Sequence, residues 1–128
     1  MNTRLVYLYR DASNYKATMS AVLAGELSAE ERDALRGAIA LAAAGAGIDP
    51  VAFSPVDLGL PPAQDALWAY HARNEDDHIY NELLDIELTT TPVTWSTVTA
   101  AGLLAAAERA VREGYDVARA MDALGIDA

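Results

Sequence analysis

The sequence contains no cysteine, which excludes disulfides, thiolate metal sites and cysteine nucleophiles and fits a reducing compartment. Cations are scarce. The 9 Lys+Arg stand against 19 Asp+Glu, for a net charge of −10, so a phosphate backbone would be repelled and a nucleic-acid partner is not expected. Long apolar runs are missing too. The alanine-rich stretches are interrupted by Gly or charge and none reaches the ~20 residues of a membrane span. The start, Met-Asn-Thr-Arg followed by alternation, has no uniform apolar stretch, so no signal peptide and a cytoplasmic location are expected. There is no G-x-S-x-G, and Gly45-Ala-Gly47 lacks the spacing and lysine of a phosphate-binding loop.

What remains is enough for a fold. The chain has 128 residues, 52% of them hydrophobic and 22% charged, which fits one domain burying roughly two-thirds of its unfolded surface. Residues 4–10 read as a strand with Leu5, Tyr7 and Tyr9 on one face and Val6 and Leu8 on the other, the pattern of a central strand covered on both sides. Asp11 to Asn14 read as a turn, and residues 15–24 as a second strand that places Tyr15, Ala17, Met19, Ala21 and Leu23 on one face. Ser28 with Glu31 forms a capping box for a helix over 28–44, whose apolar stripe is Leu35, Ala38, Ile39 and Ala42 and whose stop is Gly45 and Gly47.

Prolines 50, 55, 61 and 62 make 48–62 extended or looped, with Phe53 and Leu58 among its anchors, and 63–72 fit a short helix. Leu84, Ile86 and Leu88 alternate with Asp85, Glu87 and Thr89 in a third strand, over 83–90. Beyond Pro92 the chain reads as helical. Leu103, Ala110, Val117 and Leu124 recur at sevens, with Ala107, Gly114 and Met121 between them, as one helix or as two broken near Gly114 with Asp116 capping the second. The expected fold is α+β: a small antiparallel sheet of about three strands packed with helices. Residues 1–92 form the core, and 93–128 an alanine-rich helical region, either part of the same domain or a partner-binding arm.

Three stretches carry a resemblance: Tyr7-Leu-Tyr-Arg-Asp-Ala-Ser-Asn-Tyr-Lys16, Phe53-Ser-Pro-Val-Asp-Leu-Gly-Leu-Pro61, and Asp76-Asp-His-Ile-Tyr-Asn-Glu-Leu-Leu-Asp-Ile-Glu-Leu88. Together, in this order over about the first 90 residues, they resemble a family of small bacterial proteins of uncharacterised function. The resemblance implies one α+β unit and supplies no mechanism.

Two groups of residues are candidates for a site. In the hairpin, Tyr9, Arg10, Asp11, Asn14, Tyr15 and Lys16 could form a recognition edge, with Arg10 and Lys16 as anion donors and the tyrosines as a platform; the plain reading is a turn with paired charges and packed rings. Further on, His71, Glu75, His78 and Glu82 would share one face if 71–82 were helical. That set suits Zn²⁺, Fe²⁺ or Mn²⁺, with Asp76 or Asp77 as further donors; the plain reading is a hydrogen-bonded surface cluster. Gly114 onward has the pattern of the first helix of a helix-turn-helix, which the charge of −10 turns into an ordinary amphipathic helix.

The expected function is a non-catalytic protein–protein interaction or regulatory module. Its partner would be another protein, or a second copy joined through the C-terminal helices, and no cofactor is expected. The alternative is a transition-metal-binding protein or small metal-dependent enzyme built on the His71–His78 segment. A third reading is an acidic decoy that mimics nucleic acid, which requires carboxylates aligned on one surface.

Overall fold

The computed structural model describes residues 1–126. Four antiparallel strands form one sheet in the order β2-β1-β4-β3. The long strands are β1 (Asn2–Arg10), β2 (Lys16–Leu23) and β4 (Asn81–Thr89), and β3 is the two-residue piece Ala52–Phe53. The helices are α1 (Ala29–Ala46), α2 (Pro55–Leu58), α3 (Gln64–Trp68), α4 (Ala100–Glu113) and α5 (Val117–Leu124).

β1 is central, as its apolar content predicts, but only one of its faces is covered. Thr3, Leu5, Tyr7 and Tyr9 are buried, whereas Arg4, Val6, Leu8 and Arg10 are half-buried. The cross-strand partners explain how Val6 and Leu8 tolerate the open face. Val6 lies between Ser20 and Asp85, and Leu8 between Thr18 and Glu82, so each apolar side chain sits in a row of polar ones. Arg4–Glu87 and Arg10–Glu82, each at 3.0 Å, continue that polar layer across the strands.

The covered face carries the main core. Leu5, Tyr7 and Tyr9 pack with Leu35 and Ile39 of α1, Phe53, Leu67, and Leu103 of α4. The capping box forms as the sequence predicts: Ser28 Oγ accepts from Glu31 N–H at 3.1 Å, and Glu31 Oε1 accepts from Ser28 N–H at 3.0 Å. α1 and α4 face each other through small residues. Ala38 and Ala42 of one and Ala100, Ala107 and Ala110 of the other are all buried, and alanine lets two helices approach closely.

The seven-residue seam does not run through. Its α4 part is buried within this chain, but Gly114 ends the helix and Val117 is 43% exposed. The sequence left one helix or two open, and there are two. Asp116 caps the second, accepting from Arg119 N–H at 3.1 Å. Ala120 and Leu124 of α5 then pack in a second small cluster with Ile79, Trp68 and Tyr80.

Gly114 has φ 76° and ψ 178°, a region open essentially to glycine alone. Nothing lies within 4 Å of a Cβ placed there, so backbone strain is the whole cost of a side chain. Gly114→Ala is expected to destabilise the protein by about 1–3 kcal/mol in a urea titration, with no change in the slope.

Candidate functional site

The hairpin tip is built by its own short side chains. Asn14 takes the left-handed conformation, φ 68°, which asparagine tolerates better than most residues. Asp11 Oδ1 accepts from the N–H groups of Ser13 at 3.0 Å and Tyr15 at 2.9 Å, and Asp11 N–H donates to Tyr15 O at 2.9 Å. Arg10 bonds Asn14 Oδ1 through Nη1 at 2.5 Å and Glu82 Oε2 through Nε at 3.0 Å. Its guanidinium is therefore occupied by the hairpin and by β4. Of the two expected anion donors, Lys16 alone stays exposed without a salt bridge among the described residues.

The two candidate groups meet in space. Residues 74–78 fold against the hairpin tip: Ala12 N–H donates to Asp76 O at 3.2 Å and the Ser13 hydroxyl donates to the Asp76 carboxylate. Tyr9 OH donates to Asp77 Oδ1 at 2.6 Å and accepts from His78 N–H at 3.1 Å. Burial, followed by the hydrogen bond to Asp77, raises the Tyr9 phenol well above its ordinary value and keeps it a donor. Arg10 O and His78 Nε2 lie 2.8 Å apart.

The 71–82 stretch is not the helix that the metal reading presupposes. Residues 71–80 form a loop and β4 begins at Asn81. The local side chains explain why. Asn74 Oδ1 accepts from Asp76 N–H at 2.9 Å and Asp77 Oδ2 accepts from Asn74 N–H at 2.8 Å, so the turn is held by side-chain bonds that compete with helical ones. His71, Glu75, His78 and Glu82 therefore do not line one face.

His78 spends both ring nitrogens: Nδ1 accepts from Tyr80 N–H at 3.1 Å, which leaves Nε2 as the donor to Arg10 O. Glu82 is taken by Arg10. Among the described residues no group of three or more His, Asp or Glu is arranged to hold a metal ion. His71 stacks on Tyr15, with centroids 4.2 Å apart, and its Nε2 lies 3.9 Å from Asp11 Oδ2, beyond hydrogen-bond reach. Both of those atoms are buried without a partner among the described residues.

Beneath the loop lies a buried amide pair that no local pattern singles out. Asn81 Nδ2 donates to Gln64 Oε1 at 2.7 Å, Asn81 Oδ1 accepts from Ala63 N–H at 2.9 Å, and Gln64 Nε2 donates to His78 O at 3.1 Å. The pair ties the start of α3 to the end of the 74–78 loop and to β4.

What these bonds leave open is the strand beside them. Tyr15 and, in β2, Ala17, Met19, Ala21 and Leu23 turn their backbone groups toward β1 and the turn before it, opposite Asp11, Tyr9, Tyr7, Leu5 and Thr3. Lys16, Thr18, Ser20 and Val22 therefore turn theirs outward. Val22 is covered: its N–H donates to Thr94 Oγ1 at 2.9 Å and its C=O accepts from Thr94 and Trp95. Among the described residues Lys16 O receives only the Tyr70 hydroxyl, at 3.4 Å. Among the described residues nothing bonds the outward N–H and C=O groups of Thr18 and Ser20. Two aromatic side chains stand at the Lys16 end of this open edge, Tyr70 at 74% exposure and Tyr15 at 54%.

No family model, no curated protein and no solved structure matches the chain. The site therefore rests on its own geometry. Of the candidate residues in the hairpin, Tyr9, Arg10, Asp11 and Asn14 are engaged in holding the tip and the 74–78 loop together, and Tyr15 and Lys16 face outward beside the open edge. Sequence reasoning found the hairpin and missed Thr18, Ser20 and Tyr70. The available signal was the run Ala17–Leu23, which contains no charge, Pro or Gly.

Proposed function

We propose that this protein is a protein–protein interaction module that takes a partner by strand addition along β2. The observation that carries the reading is the pair of unbonded, exposed residues Thr18 and Ser20 on an edge strand, next to the exposed rings of Tyr15 and Tyr70. Natural sheets blunt such edges with charges, prolines, bulges or a covering segment. Here the segment 94–95 covers Val22 and stops, and Lys16 is the single charge at the far end. Strand addition supplies main-chain hydrogen bonds for affinity and leaves the flanking side chains to select the partner. The 74–78 loop and the Gln64–Asn81 pair keep the hairpin end rigid, which lowers the ordering cost of binding.

Thr18→Pro tests this. The substitution removes an outward N–H that the β1–β2 ladder does not use, on an edge strand where proline is tolerated. In affinity capture from host extract with quantitative mass spectrometry, proteins retained by the wild type are expected to fall at least about tenfold with Thr18→Pro, the loss of roughly 1.4 kcal/mol of binding. Retention of the same proteins by a folded Thr18→Pro variant overturns the reading.

A further inference from the structure

We infer that the partner of the β2 edge is a second copy of the same chain, joined antiparallel about a two-fold axis through Thr18 so that two four-stranded sheets become one. The inference rests on the strand-addition reading and adds to it the identity of the partner. Its basis is register. Two antiparallel strands exchange paired hydrogen bonds only between residues whose backbone groups face each other, here Lys16, Thr18 and Ser20 of each copy. Placing Thr18 opposite the partner's Thr18 sets Lys16 opposite the partner's Ser20 and uses every outward group from Lys16 to Ser20. A slip of two residues in one direction runs onto Val22, whose N–H and C=O are already taken. A slip in the other direction runs onto Asn14, whose left-handed backbone cannot continue a strand.

The side chains agree with that register. Lys16 meets Ser20 rather than a second lysine, so no like charges are opposed on the axis. Thr18 meets Thr18, a favourable cross-strand pair, and Ala17 meets Met19, small against large. Ala17 and Met19 lie on the covered face, where both are half-buried against the main core, so the two cores would adjoin across the new ladder. Tyr70, 74% exposed, stands at the Lys16 end of the ladder and has to turn aside for the partner strand. Its hydroxyl holds Lys16 O at a distance longer than a good O–H···O bond, and a carbonyl accepts two donors. The contact is an isologous two-fold interface, in which each copy presents the same surface. A five-residue edge buries little area, so the dimer is a weak one, and two chains each carrying −10 repel.

The test is sedimentation equilibrium over about 5 to about 500 µM. The wild type is expected to pass from one chain mass to two across that range, and to shift toward the dimer as salt rises and screens the repulsion. Thr18→Lys and Thr18→Glu, each folded by circular dichroism, are expected to remain monomers, because each sets like charges face to face on the axis. Their equal mixture is expected to recover the dimer, because Lys then faces Glu.

A wild type that stays monomeric throughout, a dimer that survives Thr18→Lys, or a mixture that stays monomeric overturns the inference. The outcomes separate from those of the capture experiment. A monomeric wild type that still captures another protein in a manner abolished by Thr18→Pro leaves the interaction module intact and removes self-pairing. Failure of both removes strand addition itself.

Discussion

Replacing Asn81 with leucine is expected to cost roughly 3–5 kcal/mol of stability, among the largest effects available from a single polar residue in this chain. Asn81 and Gln64 are fully buried, and every one of their bonds stays inside the protein. Removing the Asn81 amide leaves Ala63 N–H and Gln64 Oε1 without partners in a site that water does not reach. Leucine is close in volume, so the loss comes from two stranded polar groups rather than from a cavity. The double variant Gln64→Met with Asn81→Leu no longer strands Gln64 Oε1, but it takes the donor from His78 O, so two polar groups lose their partners in either case. It is expected to be about as destabilised as Asn81→Leu alone and not by the sum of the two single changes, a coupling that a double-mutant cycle in urea reads directly.

The same substitution has a local consequence. Gln64 Nε2 also holds His78 O, and His78 in turn holds Arg10 O and Tyr9 OH. Asn81→Leu is therefore expected to raise amide exchange across residues 74–78 and the hairpin tip before it is felt in α1 or α4, whose packing involves neither residue. Uniform loss of protection over the whole chain would argue that the pair is an ordinary part of the core and does not specifically brace the loop.

The sequence carried local instructions and left the long-range ones unreadable. The apolar strand over residues 4–10, the alternation of Tyr15 to Leu23, the Ser28/Glu31 box and the Asp116 cap each depend on residues a few positions apart, and each element appears where those residues place it, although only one face of the first strand is covered. β3 is two residues long and pairs with the first two residues of β4, Asn81 and Glu82, so no periodicity could mark it. Gln64 and Asn81 look like surface amides in a sequence; only the meeting of α3 with β4 makes them a pair. The spacing of His71, Glu75, His78 and Glu82 was real, but spacing has meaning only on a helix, and Asn74 and Asp77 bend the chain instead. The open edge is likewise a property of strand order. The outward backbone groups of Thr18 and Ser20 lack a partner strand because β2 stands at the end of the order β2-β1-β4-β3.

Alkaline pH is expected to unfold the protein, and buried phenols are the cause. Tyr7, Tyr9 and Tyr115 are all raised above the ordinary phenol value, in each case chiefly by burial. Tyr115 is pushed up to about 12, with the Asp57 carboxylate adding to the effect of burial. In the unfolded chain these phenols release their protons near pH 10, whereas the native chain keeps them. Above about pH 10 the native state thus binds more protons than the unfolded one, and stability falls as pH rises; below it both states are protonated and the contribution is constant. Each unit of displacement is about 1.4 kcal/mol, so Tyr115 alone accounts for a loss on the order of 3 kcal/mol by pH 12. A urea midpoint that is flat from about pH 7 to about pH 9.5 and drops steeply beyond it is the expected profile. Tyr115→Phe has no proton to lose and is expected to flatten part of that drop, with a modest loss of stability at neutral pH because the Ser54 backbone beside the phenol loses a polar neighbour. An alkaline limb of unchanged steepness in Tyr115→Phe would assign the pH sensitivity to the other raised phenols, Tyr7 and Tyr9, whose hydroxyls bond Pro61 O and Asp77, and Tyr80.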